Sequence, residues 1–282
     1  MALAVFREDE RTLVATSSGR RVGTLTFFRN RWHDHPKVYT ADFTAFPEAD
    51  DMSRVVSALF DLLRRELNDA LLLRTVVRED DSLIAPLKEV GFRVQRHVYM
   101  PTLDVRTFDL SSLDSVRSRF DALGYRIATL DELRSAPNFE EKFYDLLEEV
   151  YTDTSKVMPA TLDHLTLEDW RKSVLAAEEI IPEAFFVALH ESSFAGFSNV
   201  FEGHRGELET GTFGTARVFH RHHRDIMLSL KQREVAYAKD RDVGRIHFEI
   251  DADDPWTLLV SAEFPLEQSL NYVSLVHVLR WA

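Results

Sequence analysis

The 282-residue chain contains no cysteine. That excludes a disulfide framework, a thiol nucleophile and a thiolate metal site. Cations are in the minority: 34 Lys and Arg stand against 47 Asp and Glu, for a formal charge of −13. This balance argues against a general binder of nucleic acid or of anionic membranes. No apolar run is long enough to span a bilayer. The first twelve residues lack a basic segment followed by a long apolar one, so no signal peptide is expected and the cytoplasm is the default location. Glycine is scarce, with ten in all. The remainder is an ordinary globular composition in a chain that can bury a substantial core in one or two domains.

Strand and helix patterns alternate along the chain. Residues 13–16 and 21–28 read as strands around a Ser17-Ser18-Gly19 turn, and 38–46 as a third. Val55, Leu59, Leu62 and Leu63 share one helical face. Residues 71–77 form the apolar run of a strand buried on both faces, and 92–100 is another strand. A connection over 104–122 carries a short helix. Then come a strand at 125–130, an amphipathic helix bearing Phe139, Phe143, Leu146, Leu147 and Val150, and a helix capped by Thr166 with Asp169. Residues 185–189 and 194–200 form a hairpin. Strands at 245–250 and 270–278 flank a helix begun by Asp254-Pro255.

The two halves share this order. Val22-Gly23-Thr24-Leu25 matches Ala195-Gly196-Phe197-Ser198, Pro47 matches Phe219, Asp80-Asp81 matches Asp253-Asp254, and Phe92 matches Phe264. The offset is nearly constant at 172 or 173 residues, which implies an internal duplication. The second half opens with a strand and two helices over about 125–175. The first half shows no counterpart, so its unit is expected to be truncated at the N-terminus.

The stretch from Glu209 to Lys239 organises the second half. It reads as a strand through Phe219, a basic turn at Arg221-His222-His223-Arg224, and a helix with Ile226, Leu230 and Tyr237 on one stripe. A helix N-terminus offers unpaired N–H groups and a positive dipole end, the layout of an anion site. The alternative is a solvated loop in which Asp225 caps its own helix. Adjacent His222 and His223 point apart, so no metal is expected. The matching loop of the first half, at residues 47–54, holds Glu48, Asp50 and Asp51 and no glycine, and is read as structural.

Thr215-Ala216-Arg217-Val218-Phe219 and His222-His223-Arg224-Asp225-Ile226-Met227 resemble the acyl-CoA loop of the GNAT (GCN5-related N-acetyltransferase) family. Arg224 and Ile226 stand where that family often has Arg and Ile, while Asp225 and Met227 replace its two small residues. Gly124 to Leu130, Pro182 to Ala188, Ala236-Tyr237-Ala238, Glu79-Asp80-Asp81 and Val90-Gly91-Phe92 extend the resemblance, which is closest to tandem two-domain GNAT proteins. It implies an α/β fold of two GNAT-like units, each a mixed β-sheet flanked by helices. The expected boundaries are 1–103 for the truncated unit, 104–122 for the connection and 123–282 for the more complete unit.

The activity implied is acetyl-CoA-dependent N-acetyl transfer to a small-molecule amine, with chemistry in the second unit. Ala216, Arg217 and Val218 would meet the pantetheine arm, and His222, His223, Arg224, Asp225, Ile226 and Met227 the pyrophosphate. Glu209 would be the general base, with Glu207 second. The alternative for either is an exposed strand carboxylate. Residues 254–263 lack the Tyr that many GNAT enzymes use as general acid. The competing reading is a catalytically silent GNAT-like scaffold binding a small ligand or protein. No nucleic acid, membrane or metal partner is expected, and a homo-oligomer is allowed.

Overall fold

The structure is a computed structural model that describes residues 3–29, 37–46, 51–154, 166–176 and 180–279. The loop residues Pro47, Glu48, Ala49 and Asp50 lie outside the described residues. The first half runs β1 (Leu3–Arg7), β2 (Thr12–Ser17), β3 (Arg20–Arg29), β4 (Val38–Ala45), α1 (Met52–Glu66), β5 (Leu72–Arg78), α2 (Ile84–Glu89) and β6 (Arg93–Asp104). The second begins with α3 (Asp114–Ala122), β7 (Tyr125–Thr129), α4 (Leu130–Leu133), α5 (Phe139–Thr154) and α6 (Leu167–Trp170). It continues with β8 (Phe185–His190), β9 (Ser193–Glu202), β10 (Leu208–Thr210), β11 (Gly214–Thr215) and α7 (His223–Asp240). It ends with β12 (Arg245–His247), β13 (Ile250–Asp251), α8 (Pro255–Ser261) and β14 (Glu267–Val278).

The chain packs as two units. The first takes residues 3–97 together with 271–279, and the second takes 98–154 with 166–270. Each therefore contains a strand segment from the other half of the sequence. The connection at 104–122 packs with the second unit.

In the first unit β1 to β4 form an antiparallel meander. The β2–β3 turn passes through Ser18 and Gly19, both at positive φ, the geometry whose twist matches the flanking strands. β4 then pairs parallel with β5, and β5 pairs antiparallel with β14 from Tyr272↔Arg78 to Val278↔Leu72. The amphipathic α1 lays Val55, Val56, Leu59, Phe60 and Leu63 on this sheet. In the second unit β7 to β10 are antiparallel, β10 is parallel to β12, and β12 is antiparallel to residues 102–104 of β6. The pairing sequence is the same in both.

The glycines of the repeat have a physical cause. A Cβ on Gly23 would stand 2.6 Å from Val55 Cγ1, and one on Gly196 would stand 3.1 Å from Ile226 Cγ2. Val55 and Ile226 are each the fourth residue of the following helix. Each strand thus admits its helix at the same point, which supports the duplication. The first unit does have an opening strand, since β1 pairs with β2 as β7 pairs with β8. The sequence reading missed it because β1 offers only the four apolar residues Leu3-Ala4-Val5-Phe6, with no alternation to mark a strand. Nothing between β1 and β2 corresponds to α4, α5 and α6.

Candidate functional site

The parallel pair β10–β12 is short: Leu208 faces Ile246 and Glu209 faces His247. Beyond it the strands part. β11 turns to β9 at Gly214↔Phe197, and β13 turns to β6 at Ile250↔Tyr99. The expected continuous strand through residue 219 is thus broken at 211–213, and residues 217–222 form a 3-10 turn. Glu249 N–H reaches across the fork to Thr210 Oγ1 at 3.2 Å. A pocket of about 20 Å³ lies beside the fork, lined by Phe213, Gly214, Thr215, His220, His223, Asp254, Trp256 and Val150. That is room for a water rather than for a cofactor arm.

His223 is 4% exposed. Its Nδ1 shares a hydrogen with Thr215 Oγ1 at 2.8 Å, and its ring lies 4.5 Å from that of Trp256. Burial, helped by His220 and partly opposed by the Trp256 backbone, pushes its pKa down to about 4. His223 is therefore neutral at pH 7 and supplies no cation. His222 goes elsewhere, its ring 5.8 Å from Tyr125.

The charges of the basic turn are largely paired. Arg224 Nη2 donates to Glu263 Oε1 at 2.6 Å. Asp225 accepts from Arg119 of α3 at 2.9 Å. Asp225 does not cap α7: the N-cap is His222, which makes no side-chain capping bond. The capping alternative fails because the 3-10 turn runs directly into α7 and His223 N–H bonds to the His220 carbonyl. The helical N–H end thus lies earlier, at Arg217, whose N–H donates to Glu149 Oε1 of α5 at 2.7 Å. Ala216 N–H is bonded to Ala195 O, and Val218 is 75% exposed. The side chains of Ile226 and Met227 are fully buried in the core.

Glu209 is exposed at the fork on β10. Glu207 is half-buried and accepts from His247 Nε2 at 2.6 Å, which holds its carboxyl below the usual range. His247 Nδ1 lies 3.0 Å from Thr102 Oγ1. Behind the fork, α7 buries Lys231 and Glu234, with Nζ to Oε2 at 2.9 Å and Ser198 Oγ also on Glu234. Lys231 Nζ sits 4.3 Å from the Phe213 ring centroid. Burial lowers the Lys231 pKa and raises that of Glu234. Sequence reasoning missed Glu149, Trp256, His247 and this pair. Only the i, i+3 spacing of Lys231 and Glu234 inside an apolar helix was a visible signal.

No family model matches the sequence, and no curated protein matches it. Solved structures do. A GCN5-related N-acetyltransferase from Sphaerobacter thermophilus matches 98% of this chain and 82% of its own, with TM-score 0.68 and 14% identity. The fold is that of the GNAT acetyltransferases. A tandem GNAT protein from the clavulanic acid biosynthesis pathway matches 96% of this chain and 83% of its own, with TM-score 0.56 and 16% identity. N-myristoyltransferase from Saccharomyces cerevisiae, solved with bound myristoyl-CoA, matches 97% and 67%, with TM-score 0.55 and 8% identity. In each unit a mixed sheet is flanked by helices, as in the GNAT fold. Among the described residues no helix is long and apolar enough to cross a membrane.

Proposed function

We propose that the protein is a cytoplasmic, acyl-CoA-dependent N-acyltransferase that acts on a small-molecule amine, acetyl-CoA being the donor, with its chemistry in the second unit. One observation carries this reading: the parallel pair of a GNAT fold opens directly beyond an exposed carboxylate, Glu209. The donor supplies an activated thioester carbonyl. Glu209 accepts the proton that the amine must lose as its nitrogen bonds to that carbon and the C–S bond breaks. Ala216, Arg217 and Val218 line the way for the arm. His222, His223, Arg224 and Asp225 sit where the phosphates would arrive, and Ile226 and Met227 contribute only backbone there, their side chains being in the core.

A silent scaffold is the second reading. It is favoured by the paired Arg224 and Asp225, by Glu149 on the Arg217 N–H, and by the small pocket under Trp256. Titration calorimetry with acetyl-CoA, followed by thiol release with a panel of amines, separates the two. The enzyme reading expects binding, and amine-dependent thiol release that falls about 100-fold or more in Glu209→Gln. No binding, or release indifferent to Glu209, would leave the scaffold.

A further inference from the structure

Away from the Trp256 pocket, three side chains of the second unit form a connected line. Thr102 on β6 pairs in register with His247 on β12. Glu207 stands two residues before Glu209, which is the register partner of His247 on the other side. Strand alternation brings all three to one face of the sheet. His247 Nε2 lies 2.6 Å from Glu207 Oε2, and its Nδ1 lies 3.0 Å from Thr102 Oγ1. The partners decide which atom holds which hydrogen. The hydrogen bond from His247 holds the Glu207 carboxyl below the usual range, so it is ionised at neutral pH. An ionised carboxylate only accepts, so Nε2 carries the ring hydrogen. In its neutral form the imidazole then has its lone pair at Nδ1, and Thr102 must donate to it. The Thr102 oxygen keeps its own lone pairs for an incoming carbon. A hydroxyl bonded to a base, with the far nitrogen of that base oriented by a carboxylate, is the arrangement of an activated nucleophile. The line is open to solvent: Thr102 is half-buried, and the side chains of His247 and Glu207 are 28% and 31% exposed.

We propose that Thr102, His247 and Glu207 form a second site, a nucleophile that cleaves small carboxylic esters. Thr102 Oγ attacks the carbonyl carbon as its hydrogen passes to His247 Nδ1. The ester C–O bond then breaks, and the alcohol leaves with the proton that His247 returns. Thr102 is left as an acyl ester. Water gives a proton to His247 Nδ1 and attacks that ester. The acid departs, and Thr102 Oγ recovers its hydrogen from His247. The sum is ester plus water giving acid plus alcohol. Thr102 and His247 act on the reacting atoms. Glu207 is a positioning residue that fixes the tautomer and balances the imidazolium. The reaction needs neither CoA nor Glu209, so it stands or falls apart from the acyltransferase reading.

The test uses the full chain with p-nitrophenyl acetate, read by phenolate release and by peptide mass mapping of the acid-quenched protein. p-Nitrophenolate leaves far more readily than the Thr102 alkoxide, so the acyl ester should accumulate. The expected result is a burst of phenolate and an acetyl group mapped to Thr102. Thr102→Val and His247→Gln should each slow the burst by about 100-fold, and Thr102→Ser should keep it within about tenfold. His247→Gln is the sharper variant. Its amide can accept from Thr102 and donate to Glu207, so it keeps both bonds between strands, but it cannot take a proton. Glu207→Gln should slow the burst by about 100-fold at saturating ester and leave the half-saturating concentration unchanged. Thermal unfolding checks that each variant folds. Acetyl found only on lysines or the N-terminus would overturn the proposal. A folded Thr102→Val or His247→Gln variant with the wild-type burst would do the same, as would an inert wild type.

Discussion

The two units handle the same strand-to-helix junction differently. In the first, α1 begins at Asp51, whose carboxylate accepts from Arg54 N–H at 2.9 Å, three residues along the same chain. The anion-seeking end of that helix is closed by its own cap. In the second, the helical N–H end at Arg217 is met by Glu149, a side chain from α5 and remote in sequence. A local cap is part of the helix; a remote carboxylate can be displaced. The helices differ as well. The buried face of α1 is purely apolar, whereas α7 buries His223, Ser229, Lys231 and Glu234. Burying polar groups costs stability unless they are paired, so their concentration on one of the two helices agrees with the proposed placing of the chemistry in the second unit.

The sharpest way to break this contrast is at the buried pair. Lys231→Met should destabilise the protein by about 3–5 kcal/mol, because Glu234 is left buried without its cation, with Ser198 Oγ still on it. The double variant Lys231→Met with Glu234→Leu should recover most of that. Leu59→Ala in α1 should cost a comparable ~2–5 kcal/mol, but through a cavity, with no second substitution at a charged site to rescue it. Denaturant titration measures all three. Equal losses in the single and double α7 variants would show that the pair is not coupled.

Acid should separate the units next. The folded pKa of His223, about 4, lies below its ordinary value of 6.5. As pH falls the unfolded chain binds the proton first. The contribution is therefore complete above about pH 6.5 and is lost between 6.5 and 4, by about 3 kcal/mol in all. Comparing wild type with His223→Leu isolates it: their stability difference should shift by that amount across the window, in favour of the variant at low pH. A constant difference would mean that His223 takes up its proton as readily in the fold as in the unfolded chain.

Much of this contrast was readable in the sequence. The Gly23 and Gly196 anchors, the Ser18-Gly19 turn and the Thr166 cap are local signals, and local chemistry fixes them. The segment 270–278 was recognisable as a strand, but not as the neighbour of β5, because pairing at such separation leaves no trace in either segment alone. The fates of Arg224 and Asp225 were hidden for the same reason: Glu263 and Arg119 come from distant elements. The break at 211–213 escaped because Thr and Phe favour strand, while the fold needs the strand to part there. The site was thus legible as a place and illegible as a charge balance.

The two junctions should also respond differently to losing their carboxylates. Asp51→Ala should cost about 1 kcal/mol of stability and leave acyl-CoA binding unchanged. Glu149→Ala should cost less stability but free the Arg217 N–H, raising acetyl-CoA affinity by about two- to tenfold. That gain should shrink at high salt and be absent for S-acetylpantetheine, since it comes from phosphate. A gain of the same size at Asp51 would erase the distinction between the units.

The most direct test of the central claim, that one unit of the pair holds the site, is the stoichiometry of acetyl-CoA binding by calorimetry. The account predicts one equivalent per chain, retained in Asp51→Ala and lost or weakened by about tenfold or more in His223→Leu. A second equivalent, or a single one that depends on Asp51 and ignores His223, would contradict it.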